Sequence, residues 1–290
     1  MPTLFAPAKI NVTLEILSRR SDGFHTLRSV MLPIGLYDRI ELRASERSSF
    51  TASDPALAQG NLVERALSAA GVRTAYAVDL HKEIPVGGGL GGGSSDAAAV
   101  LRAAMEGSLG ELDERDWLEI ARSLGSDIPF FLAGTGALVE GTGERVTALG
   151  SLPRWWTIVG RPHATVATAD AYRLLDSRRA TNGEPETRPR SSSASLAAVD
   201  AIQRTDLSAL EASLVNDFQD LVLAAYPQVA QAHAALRAAG AAHVMLSGSG
   251  SCVFALFEDE AGARATEAAL DRAAFDGVFV VPLHHDDAWR

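Results

Sequence analysis

Pro85-Val-Gly-Gly-Gly-Leu-Gly-Gly-Gly-Ser-Ser95 puts six glycines into the seven positions from Gly87 to Gly93. Upstream, Ala77 to Ile84 (AVDLHKEI) reads as a strand, and downstream Ser95 to Met105 reads as an alanine-rich helix. A strand, a glycine run and a helix N-terminus in that order make a cradle for an anion. Without Cβ atoms the backbone takes left-handed angles and approaches a ligand closely. Successive N–H groups then converge, and the helix behind adds partial positive charge. Phosphate is the natural occupant, with Ser94 and Ser95 placed to cap the helix, touch phosphate or reach a Mg²⁺. A flexible hairpin or linker is the plainer reading, but ordering so many glycines is entropically costly. The Walker pattern is absent, because no lysine follows Gly93. Gly87-x-Gly89-x-x-Gly92 does meet the dinucleotide fingerprint, yet it comes late in the chain and no acidic residue closes a following strand about 20 residues on.

Working outward, Lys9 to Ile16 alternates strictly. Lys9, Asn11, Thr13 and Glu15 lie on one side, and Ile10, Val12, Leu14 and Ile16 on the other, as in a half-buried strand. Leu36 to Leu42 (LYDRIEL) is a further strand. Asn61 to Ala70 reads as a helix capped by Asn61, with Leu62, Ala66 and Ala69 inward. Asp113 to Leu124 reads as another, with Trp117, Ile120, Ala121 and Leu124 on one stripe and Gly125 as its stop. A second half opens near Leu152 with a strand at Trp155 to Gly160. Residues Ser177 to Ser195 are almost free of apolar side chains and read as a mobile surface loop. Helices are expected at Leu207 to Ala225 and Val229 to Ala239. Strands follow at His243 to Ser247, Cys252 to Phe257 and Val278 to Pro282, with a helix before the last. There is no internal repeat. The mixture indicates an α+β protein with two domains, 1–150 and 151–290.

The 290 residues are 47% apolar and 21% charged, which excludes disorder of the whole chain. A net charge of −10 argues against a nucleic-acid partner. The single cysteine, Cys252, rules out an internal disulfide and favours a reducing, cytoplasmic location. No apolar run is long enough to span a membrane, and Lys9 and Glu15 interrupt any signal-peptide core.

Several polar residues carry two readings. Lys9 lies on the polar side of its strand, where exposure is the default. Asp127, in Gly125-Ser-Asp-Ile-Pro129, has the setting of a helix N-cap with proline in the first turn. His25 would ordinarily be a turn residue. Leu246-Ser-Gly-Ser-Gly-Ser-Cys252 is by itself a tight turn, but with the first glycine loop it suggests that both halves line one polyanion site. His284-His285-Asp286-Asp287 has metal-ligand chemistry, but adjacent ligands at a chain end rarely close a site.

Pro7-Ala-Lys-Ile-Asn11, Pro85 to Ser95 and Leu246 to Cys252 together resemble, in order and spacing, the three motifs of the GHMP kinase superfamily. Arg20-Ser-Asp-Gly-Phe-His25, Leu36-Tyr-Asp38, Gly125 to Pro129 and Glu140-Gly-Thr-Gly-Glu144 are similar to one branch of it, which phosphorylates a methylerythritol carried on cytidine diphosphate in the non-mevalonate isoprenoid route. The resemblance implies a two-domain α+β fold with the active site in the interdomain cleft, and transfer of phosphate from ATP to the 2-hydroxyl of the methylerythritol. It makes Asp127 the catalytic base and Lys9 its cationic partner. It places ATP on Pro85, Val86, Gly87, Gly88, Gly89, Leu90, Gly91, Gly92, Gly93, Ser94 and Ser95, with Mg²⁺ bridging the phosphates. It has Asn11 and His25 bonding the cytosine edge, Phe24 and Tyr172 offering aromatic surface, and Thr168 nearby. Phe24 stands where the family commonly has tyrosine, so the ring face stays and the hydroxyl goes. Met31 occupies a position that is aromatic in some members.

Other readings are a sister kinase acting on homoserine or mevalonate, a non-catalytic nucleotide or sugar sensor on the same scaffold, and, more distantly, a dinucleotide-dependent oxidoreductase. Gly23-Phe24-His25 and Asp127 speak against the first, and the filled Lys9 and Asp127 positions against the second.

Overall fold

The structure is a computed structural model that describes residues 2–54, 57, 60–110, 112, 115–182 and 193–283. It begins with two long strands, β1 (Thr3–Arg19) and β2 (His25–Ala44), which pair antiparallel from Thr3 opposite Glu41 to Arg19 opposite His25. After β3 (Ser49–Ala52), α1 (Leu62–Ala69) and β4 (Tyr76–His81), the glycine loop leads into α2 (Gly92–Met105). Then come α3 (Trp117–Leu124), α4 (Ile128–Ala133), β5 (Ala137–Gly141) and β6 (Arg145–Ala148). The remaining elements are β7 (Trp156–Pro162), α5 (Thr168–Asn182), α6 (Ala194–Gln203), α7 (Leu207–Glu211), β8 (Val215–Asn216), α8 (Gln219–Ala225), α9 (Pro227–Ala238), β9 (Met245–Leu246), β10 (Val253–Phe257), α10 (Glu260–Ala268) and β11 (Phe275–Pro282). No helix among the described residues is long and apolar enough to cross a membrane.

Two sheets result, and the architecture is α+β. The larger runs β3-β4-β2-β1-β8, with β5 and β6 extending from β2, and the smaller runs β11-β7-β10-β9. The 20-residue length of β2 lets it pair with β4 through Arg39 to Ala44 and with β5 through Leu27 to Met31. On one face of the large sheet lies α2, whose small side chains Ala97, Ala98, Ala103 and Ala104 pack close to β1 and β2. The other face, with Ile10, Val12, Val30, Leu32 and Ile34, packs against Ala198, Ala201, Ile202 and Leu210 and against Phe254 of the small sheet.

Both faces of β1 are therefore covered, which corrects the half-buried reading. Lys9, Asn11 and Thr13 are as sealed as their apolar neighbours. Four other expectations change. The helix expected at Leu207 to Ala225 is split, because Val215–Asn216 pairs in parallel with Thr13 and Leu14 and Asp217 accepts a hydrogen bond from the Ile16 N–H at 2.7 Å. The expected loop at 177–195 is helical up to Asn182 and again from Ala194; its middle, 183–192, lies outside the described residues. Its hydrophilic composition misled because Arg179 is a buried residue of α5, donating to the Ile16 carbonyl at 2.5 Å. The helix expected from Asp113 starts at Trp117, where Asp116 caps it through the Glu119 N–H. In α1 the cap is Asn61 as expected, but the buried residues are Val63 and Ala66.

Candidate active site

The glycine loop is held from behind by the second one. Gly87, Gly89 and Gly91 take φ of 70°, 75° and 72°. A Cβ on residue 89 would stand 2.0 Å from the Ser247 carbonyl oxygen, and one on residue 88 would stand 2.5 Å from Cys252 Sγ. The Cys252 N–H donates to the Gly88 carbonyl at 3.1 Å, and Ser247 Oγ to the Gly89 carbonyl at 3.1 Å. Asn216 in turn donates to the carbonyls of Leu246 and Gly248, both at 2.8 Å, which explains the short strand β8. The Leu246 to Cys252 segment is thus a tight turn that also completes the cradle. Gly91 caps α2 without any side-chain hydrogen bond, so the positive end of the helix is left to a ligand. Ser94 lines the cleft. Ser95 is fully buried, and its Oγ has no hydrogen-bond partner among the described residues.

Gly89→Ala should raise the KM for ATP at least about tenfold, because a left-handed residue with a Cβ costs about 1–2 kcal/mol even before the contact with Ser247. Gly262→Ala in α10, outside the cleft, is the control: its Cβ would meet Asp259 at an ordinary 3.5 Å. Equal KM values for the two variants would contradict the described cradle.

The loop's ends are tied together by a charged cluster that the sequence reading missed. Lys82, just before the loop, donates to Asp38 of β2 and, at 2.7 Å, to Asp96 of α2. Asp38 also accepts from the N–H groups of Glu83 and Ile84, at 2.7 and 2.9 Å. Two buried carboxyl groups share one ammonium. Burial opposes the Lys82 charge, but Asp96 and Asp38 outweigh it and raise its pKa. Burial, reinforced by Asp38 and opposed by Lys82, pushes Asp96 up to about 7. The folded protein therefore holds a proton on Asp96 that the unfolded chain has already lost. That stabilisation is complete below the ordinary carboxylate pKa and is lost as the pH rises through about 7. Asp96→Asn should accordingly raise Tm more at pH 8 than at pH 5, on the order of 3 °C per kcal/mol gained. Thermal melts showing an equal or smaller gain at pH 8 would refute it.

Lys9 sits under the loop. Its N–H donates to the Leu90 carbonyl at 3.0 Å, and its Nζ to the Gly89 carbonyl at 2.7 Å and to Asn11 Oδ1 at 2.5 Å. Asp127 Oδ2 is 3.9 Å from Nζ. Burial pushes the Lys9 ammonium pKa down, and Asp127 partly restores it. Asp127 does occupy the N-cap position of α4, with Pro129 in the first turn, but its side chain makes no capping hydrogen bond. That leaves the carboxylate, 29% exposed, facing the cleft beside Lys9. The Glu140 to Glu144 turn supports it: Glu144 accepts from the Thr142 N–H and Oγ1 at 2.6 and 2.8 Å, and Gly143 fits against the Ser126 carbonyl.

Towards the second half, His25 stacks on Tyr172 with ring centres 4.8 Å apart and planes at 26°, and Tyr172 meets Phe218 edge-on at 4.9 Å. Burial, with Asp127 and Asp176 adding, pushes the Tyr172 hydroxyl up to about 12. Thr168 Oγ1 and Ser249 Oγ lie 3.0 Å apart, joining α5 to the second glycine segment. Phe24 is 66% exposed on the cleft wall, and Met31 is buried among core side chains at the same cleft. Asn11 also lines the cleft: its amide donates to Ser29 Oγ at 2.9 Å, its oxygen accepts from Lys9 Nζ, and no hydrogen bond joins it to His25 among the described residues. Lys9, Asp127, the glycine loop, His25, Phe24, Thr168, Tyr172 and Ser249 line one continuous cleft of about 1260 Å³. The cluster Glu41, Asp79 and His81 lies outside it, and Glu41 is already paired with Arg39 and Arg43. His284 to Asp287 lie outside the described residues.

Residues 59–135 match the GHMP kinases N terminal domain and residues 198–277 the GHMP kinases C terminal domain. Together with the cleft, these matches define a GHMP kinase. The 4-diphosphocytidyl-2-C-methyl-D-erythritol kinase of Geobacter sp. (strain M21) is 39% identical over 279 residues, covering 93% of this chain and 94% of its own; that of Deinococcus radiodurans is 38% identical over 274 residues, covering 92% and 87%. The crystal structure of a 4-(cytidine 5'-diphospho)-2C-methyl-D-erythritol kinase superposes with a TM-score of 0.79 at 34% identity, over 97% of this chain and 99% of that one. The chain belongs to the 4-diphosphocytidyl-2-C-methyl-D-erythritol kinase family.

Proposed function

We infer that this chain is an ATP-dependent kinase that phosphorylates the 2-hydroxyl of 4-diphosphocytidyl-2-C-methyl-D-erythritol, in the supply of isoprenoid precursors. The observation that carries the reading is the placing of Lys9 and Asp127, 3.9 Å apart, in the same cleft as the glycine cradle and the His25–Tyr172 stack. In the proposed reaction, Asp127 accepts the proton of the attacking hydroxyl as its oxygen bonds to the γ-phosphorus and the β–γ bridge breaks, releasing ADP. Lys9 offsets the negative charge developing on the transferred group.

Residues Pro85 to Ser95 hold the ATP phosphates. Gly87, Gly89 and Gly91 take left-handed angles, and a Cβ there would meet Thr165, Ser247 or Phe131 within 3 Å, so the loop packs tightly on the protein and keeps its backbone bare, as a phosphate cradle requires. Ser95 is buried at the start of α2, its Oγ without a hydrogen-bond partner among the described residues. Mg²⁺ is proposed as the counter-ion that neutralises the triphosphate. His25, Tyr172 and Phe24 form the cytosine reader, with Thr168 bordering it. Asn11 holds Lys9 through its oxygen and, lining the same cleft with a second amide hydrogen to give, is kept as a contact to the base edge.

A boundary between residues 150 and 151 is supported by the two sheets, with β8 the strand that crosses it among the described residues. A cytoplasmic location is supported by the lone, buried Cys252. The test is ADP release with Mg²⁺ and ATP across four acceptors: the cytidine substrate, homoserine, mevalonate and galactose. Turnover with the cytidine substrate alone is expected. Preference for another acceptor would discard the cytosine reader, and no turnover with any of them would discard the kinase.

A further inference from the structure

A residue that neither the sequence reading nor the proposed mechanism uses stands directly behind the histidine at the far end of the cleft. His25 Nε2 lies 2.8 Å from Asp176 Oδ1, on α5. The second carboxylate oxygen faces Arg19, 3.8 Å away, whose side chain is 54% exposed. The ring cannot tilt freely: its side chain is 6% exposed, it is stacked on Tyr172, and Tyr172 is braced by Phe218. The other ring nitrogen, Nδ1, has no hydrogen-bond partner among the described residues and is not one of the polar atoms sealed without a partner. His25, Tyr172 and Asp176 all line the cleft.

The chemistry follows from which atom owns the hydrogen. An ionised carboxylate only accepts, so the hydrogen in the Asp176 contact belongs to Nε2. In a neutral imidazole this leaves a lone pair on Nδ1. Cytosine and uracil differ at position 4, where cytosine carries an amino donor and uracil a carbonyl acceptor, as thymine does. A fixed Nδ1 acceptor pairs with the first and opposes the second.

We propose that Asp176 is the positioning residue that sets base selectivity, by holding His25 in the Nε2–H form so that Nδ1 accepts from the cytosine amino group. The proposal rests on the reading of His25 as a cytosine contact. Selectivity then resides in a carboxylate that need not touch the base. Asparagine in its place can donate to Nε2 and move the ring hydrogen to Nδ1, the wrong-tautomer effect of an Asp→Asn change behind a working histidine. Glutamate restores an acceptor.

The test compares kcat/KM for 4-diphosphocytidyl-2-C-methyl-D-erythritol and its uridine counterpart in the wild type, Asp176→Asn, Asp176→Glu and His25→Ala. ¹⁵N–¹H correlation spectra of the imidazole of the wild type and Asp176→Asn accompany it. The wild type should show the hydrogen on Nε2. Asp176→Asn should lose at least tenfold of the cytidine preference through KM for the acceptor, with KM for ATP unchanged, and Asp176→Glu should recover most of it. If His25→Ala abolishes the preference while Asp176→Asn keeps it, or if the wild-type hydrogen is on Nδ1, the assignment of Asp176 is overturned and the histidine reader stands. If the preference survives His25→Ala as well, the reader itself is overturned.

Discussion

Asp127→Asn is expected to lower kcat by about a thousandfold, within the range for removing a general base, while KM for ATP and Tm stay close to those of the wild type. The separation of the two effects follows from the position. Asp127 opens α4, yet its side chain makes no capping hydrogen bond, so the amide forfeits no backbone contact. Its surroundings are the 3.9 Å approach to Lys9 and the open cleft. An asparagine there is nearly isosteric and keeps the helix start, but it cannot take a proton. Pre-steady-state phosphoryl transfer and a thermal melt on the same sample check this. A variant with near-normal turnover would remove Asp127 from the chemistry, and one with a collapsed Tm would make its role structural.

Lys9→Met is expected to cost about a hundredfold or more in kcat and to raise KM for ATP as well, the double effect that sets it apart from the aspartate change. The ammonium touches both machineries, since it bonds the Gly89 carbonyl of the phosphate loop and lies beside Asp127. Folding should suffer less than the burial of Lys9 suggests. The change strands one acceptor, Asn11 Oδ1, at about 1–3 kcal/mol, while the Gly89 carbonyl keeps its bond from Ser247 Oγ. It also removes a desolvated charge, which offsets part of that loss. Circular dichroism and ATP titration separate the terms. Wild-type kcat in Lys9→Met would show that the cation is a prop for the loop and nothing more.

These residues also mark how far the sequence can be read. The glycine loop, its helix and the long alternating strand were legible because each is a local pattern. Lys9 was legible only through its motif: alternation put it on a polar face, and nothing within eight residues says that Gly89 and Gly248, from distant parts of the chain, close over that face. Asp127 shows the reverse. Its N-cap position was readable from Pro129, but the idle side chain, which matters for chemistry, emerges only in three dimensions.

The Lys82 cluster was hidden by separation, since Asp38, Lys82 and Asp96 meet only when β2, the end of β4 and α2 come together. A lysine and an aspartate flanking the glycine run at either end were the available signal. Around residue 215, helical periodicity lost to tertiary pairing: two residues form a strand because β1 and the second glycine segment offer Asn216 and Asp217 their partners. Arg179 defeated a rule of composition in the same way, since one arginine bonded to a strand carbonyl can line a buried helix face.

The most direct measurement is ³¹P and ¹³C NMR of the product formed from ATP and 4-diphosphocytidyl-2-C-methyl-D-erythritol. The expected spectrum has one new phosphomonoester, coupled to the quaternary C2 carbon, appearing in equal amount with ADP. Inorganic phosphate in place of the ester, or a phosphate on a different oxygen, would contradict the placing of the 2-hydroxyl between Asp127 and the glycine cradle.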